Sequence, residues 1–445
     1  MKTKRMMVFL VAMTLALSTL FGCAQPLTQE TETAIKQSDG EKVTIEIWNC
    51  DGSPLFQEPL EAAAAAFMEL HPDITVNIVG LPYDQQQQKF DVAVSTKSTP
   101  DAAYQEYFNI LSYVNQGALI SYDKYFDNWD KKNEFDPKRI DLEMYVINGE
   151  RYYFPIEFAG PVIFYNKNIL DEYGLEPAKT WDEWFEIIEK TTDPSVGRYG
   201  SSYAGTRGTS FFEAFLLAYT GVDTYFDSNG ACFMRSPDAL EGATRFFDAF
   251  KNGQVAPSSV SGDLISIAND VAGGVATTIF TNCATYSILT EKLGDSGVVT
   301  TLPLPAKNGK INLNVSSLLG GAGYVMYSTS KHPDETWAFI SFMLEAQQNS
   351  TWCKATGVLP INKNAMEDQW VQESPYLKVV ADAFSGNAGD VKVVASPMYL
   401  PKYNEIMRNI MEPGFQEVML GRKSVADYLN ECAQALEDEE KAFRG

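Results

Sequence analysis

Histidine is almost missing from these 445 residues: there are two, His71 and His332, and each stands immediately before a proline. The residue before a proline is pushed out of helical backbone, so both histidines read as helix boundaries rather than catalytic bases. The common hydrolytic signatures are missing too. There is no HExxH, no GxxxxGK followed by Ser or Thr, and no GxSxG; zinc hydrolysis, nucleotide hydrolysis and α/β-hydrolase chemistry therefore lack their parts. The six cysteines are scattered without CxxC spacing, which supports neither a disulfide scaffold nor a zinc site. Basic charge is scarce, with 35 Lys and Arg against 58 Asp and Glu and a formal charge of −23. No basic stripe can neutralise phosphates, so nucleic acid is excluded as a partner, and the acidic excess is assigned to solubility. No stretch beyond the N-terminus approaches the ~20 apolar residues of a membrane span.

The N-terminus itself is distinctive. Lys2, Lys4 and Arg5 precede an uncharged apolar run from Met6 to Phe21, which ends in Leu-Phe-Gly-Cys. This is the charged and then apolar order of a secretory signal, too short and too interrupted by Thr14, Ser18 and Thr19 for an anchor helix. The ending resembles a bacterial lipobox, which implies a diacylglyceryl chain on Cys23, although Phe21 is bulkier than that pattern prefers. Residues 1–22 are thus expected to be a lipoprotein signal peptide. Residues 23–42, polar and free of aromatics, are expected to be a flexible tether. The roughly 400 residues that remain exceed what one core organises, so two domains are expected.

From Val43 the chain alternates strand and helix signals. VTIEIW, ITVNIV and the segment after Pro100 read as strands; PLFQEPLEAAAAAFMELHP, YDQQQQKFDVAVSTKS and FNILSYVNQGALI read as helices. Such a series predicts a mostly parallel sheet with helices on both faces, which takes ligands at the carboxyl ends of its strands. Residues 149–168, GERYYFPIEFAGPVIFYNKN, differ: two extended runs divided by Glu157 and Gly160-Pro161 predict a strand crossing between domains. Thr180 and Glu183 form a capping box, and Ser236-Pro237 opens a helix closed by Gly253. AGGVATTIF predicts a loop entering a strand, and the acidic SVADYLNECAQALEDEEKAF predicts an amphipathic final helix. Gly320, Gly321 and Gly323 are not a GxGxxG, and a tight turn before YVMY explains them as well as a site does.

Aromatics assigned to loops, namely Tyr83, Tyr104, Tyr107, Phe211, Phe212, Tyr286, Tyr399 and Tyr403, stand near Asp, Glu and amide side chains. Sugar rings stack their C–H faces on aromatics and present hydroxyls to such polar groups, although for any one aromatic core packing is the commoner explanation. Acid pairs drawn from Asp51, Asp101, Glu106 and Glu157 are the raw material of a glycosidase.

The order of segments now carries a resemblance. IEIW, FMELHPDITVNIV, STPDAAYQEYFNILSYVNQGALISYDKYF, GERYYFPIEFAGPVIFYNKNILDEYGLEPAKTWDEW, FKNGQVAP, AGGVATTIF, LPLPAKNGK, GGAGYVMYSTSKHPDETWAFISFMLEAQQ and TGVLPINK follow one another behind the lipobox. In this the chain resembles the family 1 extracellular solute-binding proteins of sugar ABC importers, the group that contains the maltose-binding proteins. The resemblance implies an α/β, two-lobed periplasmic-binding-protein-like fold of type II. Each lobe is a sheet flanked by helices, with a hinge and an interlobe cleft that closes on the solute. It implies an N-terminal lobe from residues 43–155 and about 308–356, and a C-terminal lobe from 156–307 and about 357–445.

The ligand-binding residues implied are Asp51, Gln105, Glu106, Tyr107, Glu157, Arg207, Phe211, Asn282, Tyr286, Gly321, Tyr399 and Tyr403. Where relatives commonly place Gly-x-Trp after the VATTIF strand, this chain has Thr281-Asn282-Cys283, so either Tyr286 replaces the platform or the stacking is lost. The implied partners are a mono- or oligosaccharide and permease subunits with a cytoplasmic ATPase. The implied receptor is a lipid-anchored monomer on the outer face of the cell membrane, with no cofactor, no metal and no catalysis. Two other readings stay open. An anionic cargo such as glycerol-phosphate would need clustered cations, and only Arg207 is at hand; a secreted carbohydrate-active enzyme would use Glu157 and Glu106 as its acids.

Overall fold

The structure, a computed structural model, describes residues 42–444 apart from 84, 108, 142–144, 207, 283–284, 316–321 and 385–390. The expected anchor cysteine Cys23 and the expected site residues Arg207 and Gly321 lie outside the described residues. Among those described, no helix is long and apolar enough to cross a membrane.

The chain opens with β1 (Val43–Asn49), the helix Pro54–Leu70, β2 (Ile74–Gly80), the helix Gln86–Thr96 and β3 (Ala102–Gln105). Pro54 starts the first helix, and Leu60, Ala63, Ala64 and Phe67 form its buried stripe at the spacing of one helical face. It ends at Leu70 with His71 as C-cap, and His332 later stands as N-cap of the helix Pro333–Leu344, so both histidines mark boundaries.

β4 (Val146–Ile147) and β5 (Glu150–Arg151) make a hairpin, followed by β6 (Phe154–Pro155), β7 (Glu157–Phe158) and β8 (Pro161–Asn166). Then come β9 (Tyr199–Ser201), β10 (Ala276–Asn282), β11 (Val298–Thr301), β12 (Ile311–Val315), β13 (Gly323–Met326), β14 (Leu359–Pro360) and β15 (Val391–Ala395).

Two sheets dominate. The first has the order β2-β1-β3-β13-β6 and the second β11-β8-β10-β9. In the first, β1, β2 and β3 run parallel as expected, but β13 returns antiparallel to both β3 and β6, so the sheet is mixed. The expected crossing strand is two short pieces and a long one: β6 ends the first sheet, β7 pairs only with β14, and β8 enters the second sheet. The chain therefore passes from the first sheet to the second at β7 and returns to the first between β11 and β13. β12 pairs with β15, outside both main sheets.

Each sheet has a dry interior. Ile45 and Ile47 of β1, Ala102 and Ala103 of β3, and Tyr324 to Met326 of β13 are fully enclosed. In the second sheet Val162 to Tyr165 and Ile279 are equally enclosed beneath Trp184 and Phe215. Full burial of one such large apolar side chain contributes roughly 1.5–3 kcal/mol. The predicted caps are present, with Ser236 Oγ accepting from Ala239 N and Thr180 Oγ1 accepting from Glu183 N at 3.1 and 3.2 Å. Glu183 answers one residue earlier than a standard capping box, taking Lys179 N–H at 2.7 Å.

Gly323 sits where β13 is squeezed between β3 and β6, and a Cβ there would lie 2.2 Å from the Phe154 carbonyl oxygen. That oxygen belongs to backbone and cannot turn aside. Gly323→Ala is therefore expected to lower stability by about 1–3 kcal/mol, the usual cost of overpacking; an unchanged thermal midpoint would contradict the close approach.

Candidate functional site

The carboxyl ends of β1 and β3 carry the polar residues, as a parallel sheet requires of a ligand site. After β1 the chain turns sharply: Cys50 N–H donates to Tyr104 O at 3.0 Å and Gly52 N–H to Leu81 O at 2.8 Å. Buried Asn49 organises this turn, its Oδ1 accepting from Asp51 N at 3.1 Å and its Nδ2 donating to Gln57 Oε1 at 3.0 Å. Asp51 is left half-buried, with one carboxylate oxygen taking Ser53 N–H at 2.9 Å.

After β3, Gln105 is buried, and its Oε1 accepts from Tyr327 Oη at 3.1 Å. Glu106 is nearly enclosed, and its two oxygens accept from Tyr83 Oη at 2.7 Å and Gln86 Nε2 at 3.1 Å. Tyr107 packs edge-on against Tyr145 and Tyr153 and donates its hydroxyl to Met398 Sδ.

Glu157, on the first crossing, is 3 % exposed. One oxygen accepts from Tyr104 Oη at 2.9 Å and Ala322 N at 3.2 Å, and the other from Trp352 Nε1 at 2.6 Å. Burial pushes its carboxyl up to about 7, against the pull of those three donors. Asp51, Glu106 and Glu157 converge electrostatically on the Cys50 thiol, which burial first and these three charges next hold well above its ordinary value. Their shared neighbour shows that the three acids gather at one place. Phe56 flanks them, tilted over Trp352 at 6.2 Å and stacked near Tyr104 at 6.5 Å, while Tyr104 meets Trp352 edge-on at 5.1 Å.

The expected residues on the second side are arranged differently. Asn282 closes β10 opposite Pro161, four residues beyond Glu157, and is buried. Tyr286 does not offer an open platform: Tyr376 stacks on its ring at 3.6 Å, and its hydroxyl is bound to Asp295. Phe211 and Phe212 are not loop residues. Both are buried on the helix Thr209–Thr220, and Phe212 packs among Phe246, Phe247, Phe415 and Tyr428 as core. Tyr104 belongs to β3 rather than a loop.

Tyr403 donates its hydroxyl to buried Glu213 and Tyr399 donates its own to Glu440. The side chains brought together are thus Asp51, Glu106 and Glu157, with Tyr107 meeting the Met398–Tyr403 segment. Phe56 and Trp352 are the site residues that sequence reasoning passed over. Phe56 carries a signal, since it lies in the first turn of the helix that follows the carboxyl end of β1. Trp352 carries none, because only the fold brings residue 352 to residue 157.

Known proteins share this architecture. The GacH receptor of Streptomyces glaucescens superposes with a TM-score of 0.76 at 18 % identity, covering 90 % of this chain and 99 % of that one. A Thermotoga lettingae ABC-transporter solute-binding protein, solved with alpha-D-tagatose bound, gives 0.75 at 20 % identity, covering 89 % and 100 %. In sequence, the arabinooligosaccharide-binding protein of Bacillus subtilis is 22 % identical over 412 residues, 88 % of this chain and 89 % of that protein. Two separate sheets, with the chain passing between them and acids and aromatics at strand ends, are the two-lobed α/β fold of these neighbours. The model of the bacterial extracellular solute-binding proteins matches residues 62–379, and the chain belongs to that family.

Proposed function

We propose that this receptor captures an uncharged mono- or oligosaccharide beside Asp51 and Glu106 and hands it to an ABC permease driven by a cytoplasmic ATPase. The observation that carries this reading is the gathering of three carboxylates beside Phe56, Tyr104 and Tyr107 at the strand ends of a solute-binding fold. Carboxylates accept hydroxyl hydrogens and aromatic faces take C–H surfaces, whereas an anionic cargo would meet repulsion from the same acids. The named sugars of relatives, arabinooligosaccharides and alpha-D-tagatose, favour the same class.

Glu157 has the raised pKa of a general acid, but both its oxygens already accept hydrogen bonds from Tyr104, Trp352 and Ala322. That arrangement favours capture over hydrolysis. On this reading Gln105, Tyr107, Asn282 and, beyond the described residues, Arg207 and Gly321 complete the contacts. Phe211, Tyr286, Tyr399 and Tyr403 support them from behind.

The lobes are assigned as 43–155 with a later return, and 156–307 with the C-terminus. The later return is about 308–356 and the C-terminal part about 357–445; the pairing of β12 with β15 supports a return that begins after Val315. The receptor works as a monomer without metal or cofactor, held at the outer face of the membrane by lipid on Cys23 after a tether of residues 23–42.

A thermal-shift screen over D-tagatose, arabinotriose, xylotriose and maltotriose tests the reading. At a hundred times its dissociation constant a true cargo adds about 2.7 kcal/mol to the folded state, and chromatography should find the sugar uncleaved. Glu106→Gln should weaken that cargo about ten- to a hundredfold while leaving the free protein folded. A shift with glycerol-phosphate and with none of the sugars would overturn the proposal, as would cleavage products.

A further inference from the structure

The position of Glu157 gives it a task distinct from touching cargo. It lies on β7, the two-residue crossing between the sheets, and β7 pairs with β14, which stands in neither main sheet. Its three donors come from three other parts of the chain: Tyr104 on β3, Ala322 just before β13, and Trp352 on the helix Ala346–Thr356. Two of the three are the aromatic rings on which the partly exposed Phe56 rests. We propose that Glu157 is a positioning residue: as a carboxylate in the hinge it fixes Tyr104 and Trp352, and through them it seats Phe56 against the cargo.

The proposal deepens the capture reading and rests on it for the word cargo alone. Its chemistry follows from the donors. Trp352 Nε1–H and the Ala322 amide can only donate, while the Tyr104 hydroxyl can turn and accept. An ionised Glu157 satisfies all three. A protonated one must place its own hydrogen among them, and a wall with one orientation becomes a wall in which Tyr104 reverses or Trp352 loosens.

The groups facing Glu157 are Glu106 from the end of β3, Cys50 from the turn after β1, Tyr153 before β6, and Tyr324 on β13. The thiol and the three phenols Tyr104, Tyr153 and Tyr324 are held well above their ordinary values, chiefly by burial, so they stay neutral across the physiological range. That leaves the carboxylates, with Glu157 as the one bound directly to the rings.

The test needs no cargo, so its failure is separate from failure of the sugar screen. Near-ultraviolet circular dichroism of the full unliganded protein is followed from pH 5.5 to 8.5. The wild type should show an aromatic transition centred near pH 7, absent in Glu157→Gln, moved to higher pH in Trp352→Phe and retained in Glu106→Gln. Tyr104→Phe removes a donor that stabilises the charge, so its transition should move to higher pH; this variant decides the matter if Glu157→Gln fails to fold. A flat wild-type profile overturns the proposal, as does a transition that survives Glu157→Gln or vanishes with Glu106→Gln.

Discussion

Trp352→Ala is expected to unfold well before the wild type, losing about 3–5 kcal/mol from the missing indole alone. The ring is 1 % exposed, meets Tyr104 edge-on and supports Phe56, so no water or neighbouring side chain readily fills its space. A second loss is added, because Glu157 gives up its shortest hydrogen bond while remaining buried. Hydrogen bonds to charged groups contribute about 1.5–3 kcal/mol. Trp352→Phe separates the two: it restores most of the packing and none of the donor, so its deficit should fall near the second figure.

The pH dependence has a definite sign. The Glu157 carboxyl is raised from its ordinary 4.5 to about 7 in the folded protein. The folded form therefore holds its proton where the unfolded chain has lost it. The stability this confers is full below about pH 4.5 and is lost as pH rises through about 7. Removing the indole donor raises the group further, so the Trp352→Ala deficit should be larger at pH 8 than at pH 5. Thermal scans at the two values check this, and a larger deficit at pH 5 would mean that the indole does not stabilise the charge.

Local chemistry made much of the fold legible. Pro54, the apolar stripe of the first helix, the prolines after both histidines and the caps at Thr180 and Ser236 act within a few residues of themselves, and each stands where its chemistry dictates. The strand order did not follow from such signals. β13 inserts between β3 and β6 from more than 150 residues away, and nothing in YVMY records its antiparallel partner.

The site divides in the same way. Asp51 and Glu106 follow strand ends, which a reader can find from pattern, and they are gathered together. The aromatics were harder, since Phe211, Phe212 and Tyr286 look alike in sequence whether they face solvent, core or another ring. Tyr376 on the face of Tyr286 and Phe415 against Phe212 are tertiary facts.

Glu213→Ala should be as damaging as any change at the cleft, although Glu213 touches no solute. The side chain is fully buried on the helix Thr209–Thr220 and accepts from Tyr225 Oη at 2.6 Å and from Ser396 Oγ and Tyr403 Oη at 2.8 Å. Ser396 in turn takes Asn314 Nδ2 at 3.1 Å, so one carboxylate ties the Tyr225 loop, the end of β15, β12 and the Tyr403 turn to a single helix. Alanine leaves three buried hydroxyls to find other partners, at about 1–3 kcal/mol for each that cannot.

The expected loss is on the order of 3–5 kcal/mol, read as a lowered thermal midpoint. Glu213→Gln keeps the shape, and tyrosine and serine hydroxyls can turn to accept its amide, so it should cost far less. Burial also raises the Glu213 carboxyl, so its contribution falls with rising pH, and Gln should compare best with wild type at the alkaline end.

The effect should reach the cleft. Tyr107 donates to Met398, and its phenol feels both Tyr403 and Glu213. Loosening residues 398–403 therefore withdraws the partner that Tyr107 meets across the junction. Glu213→Ala should lose cargo affinity as well as stability, and calorimetry finding full affinity in the folded variant would show that this segment carries no part of closure.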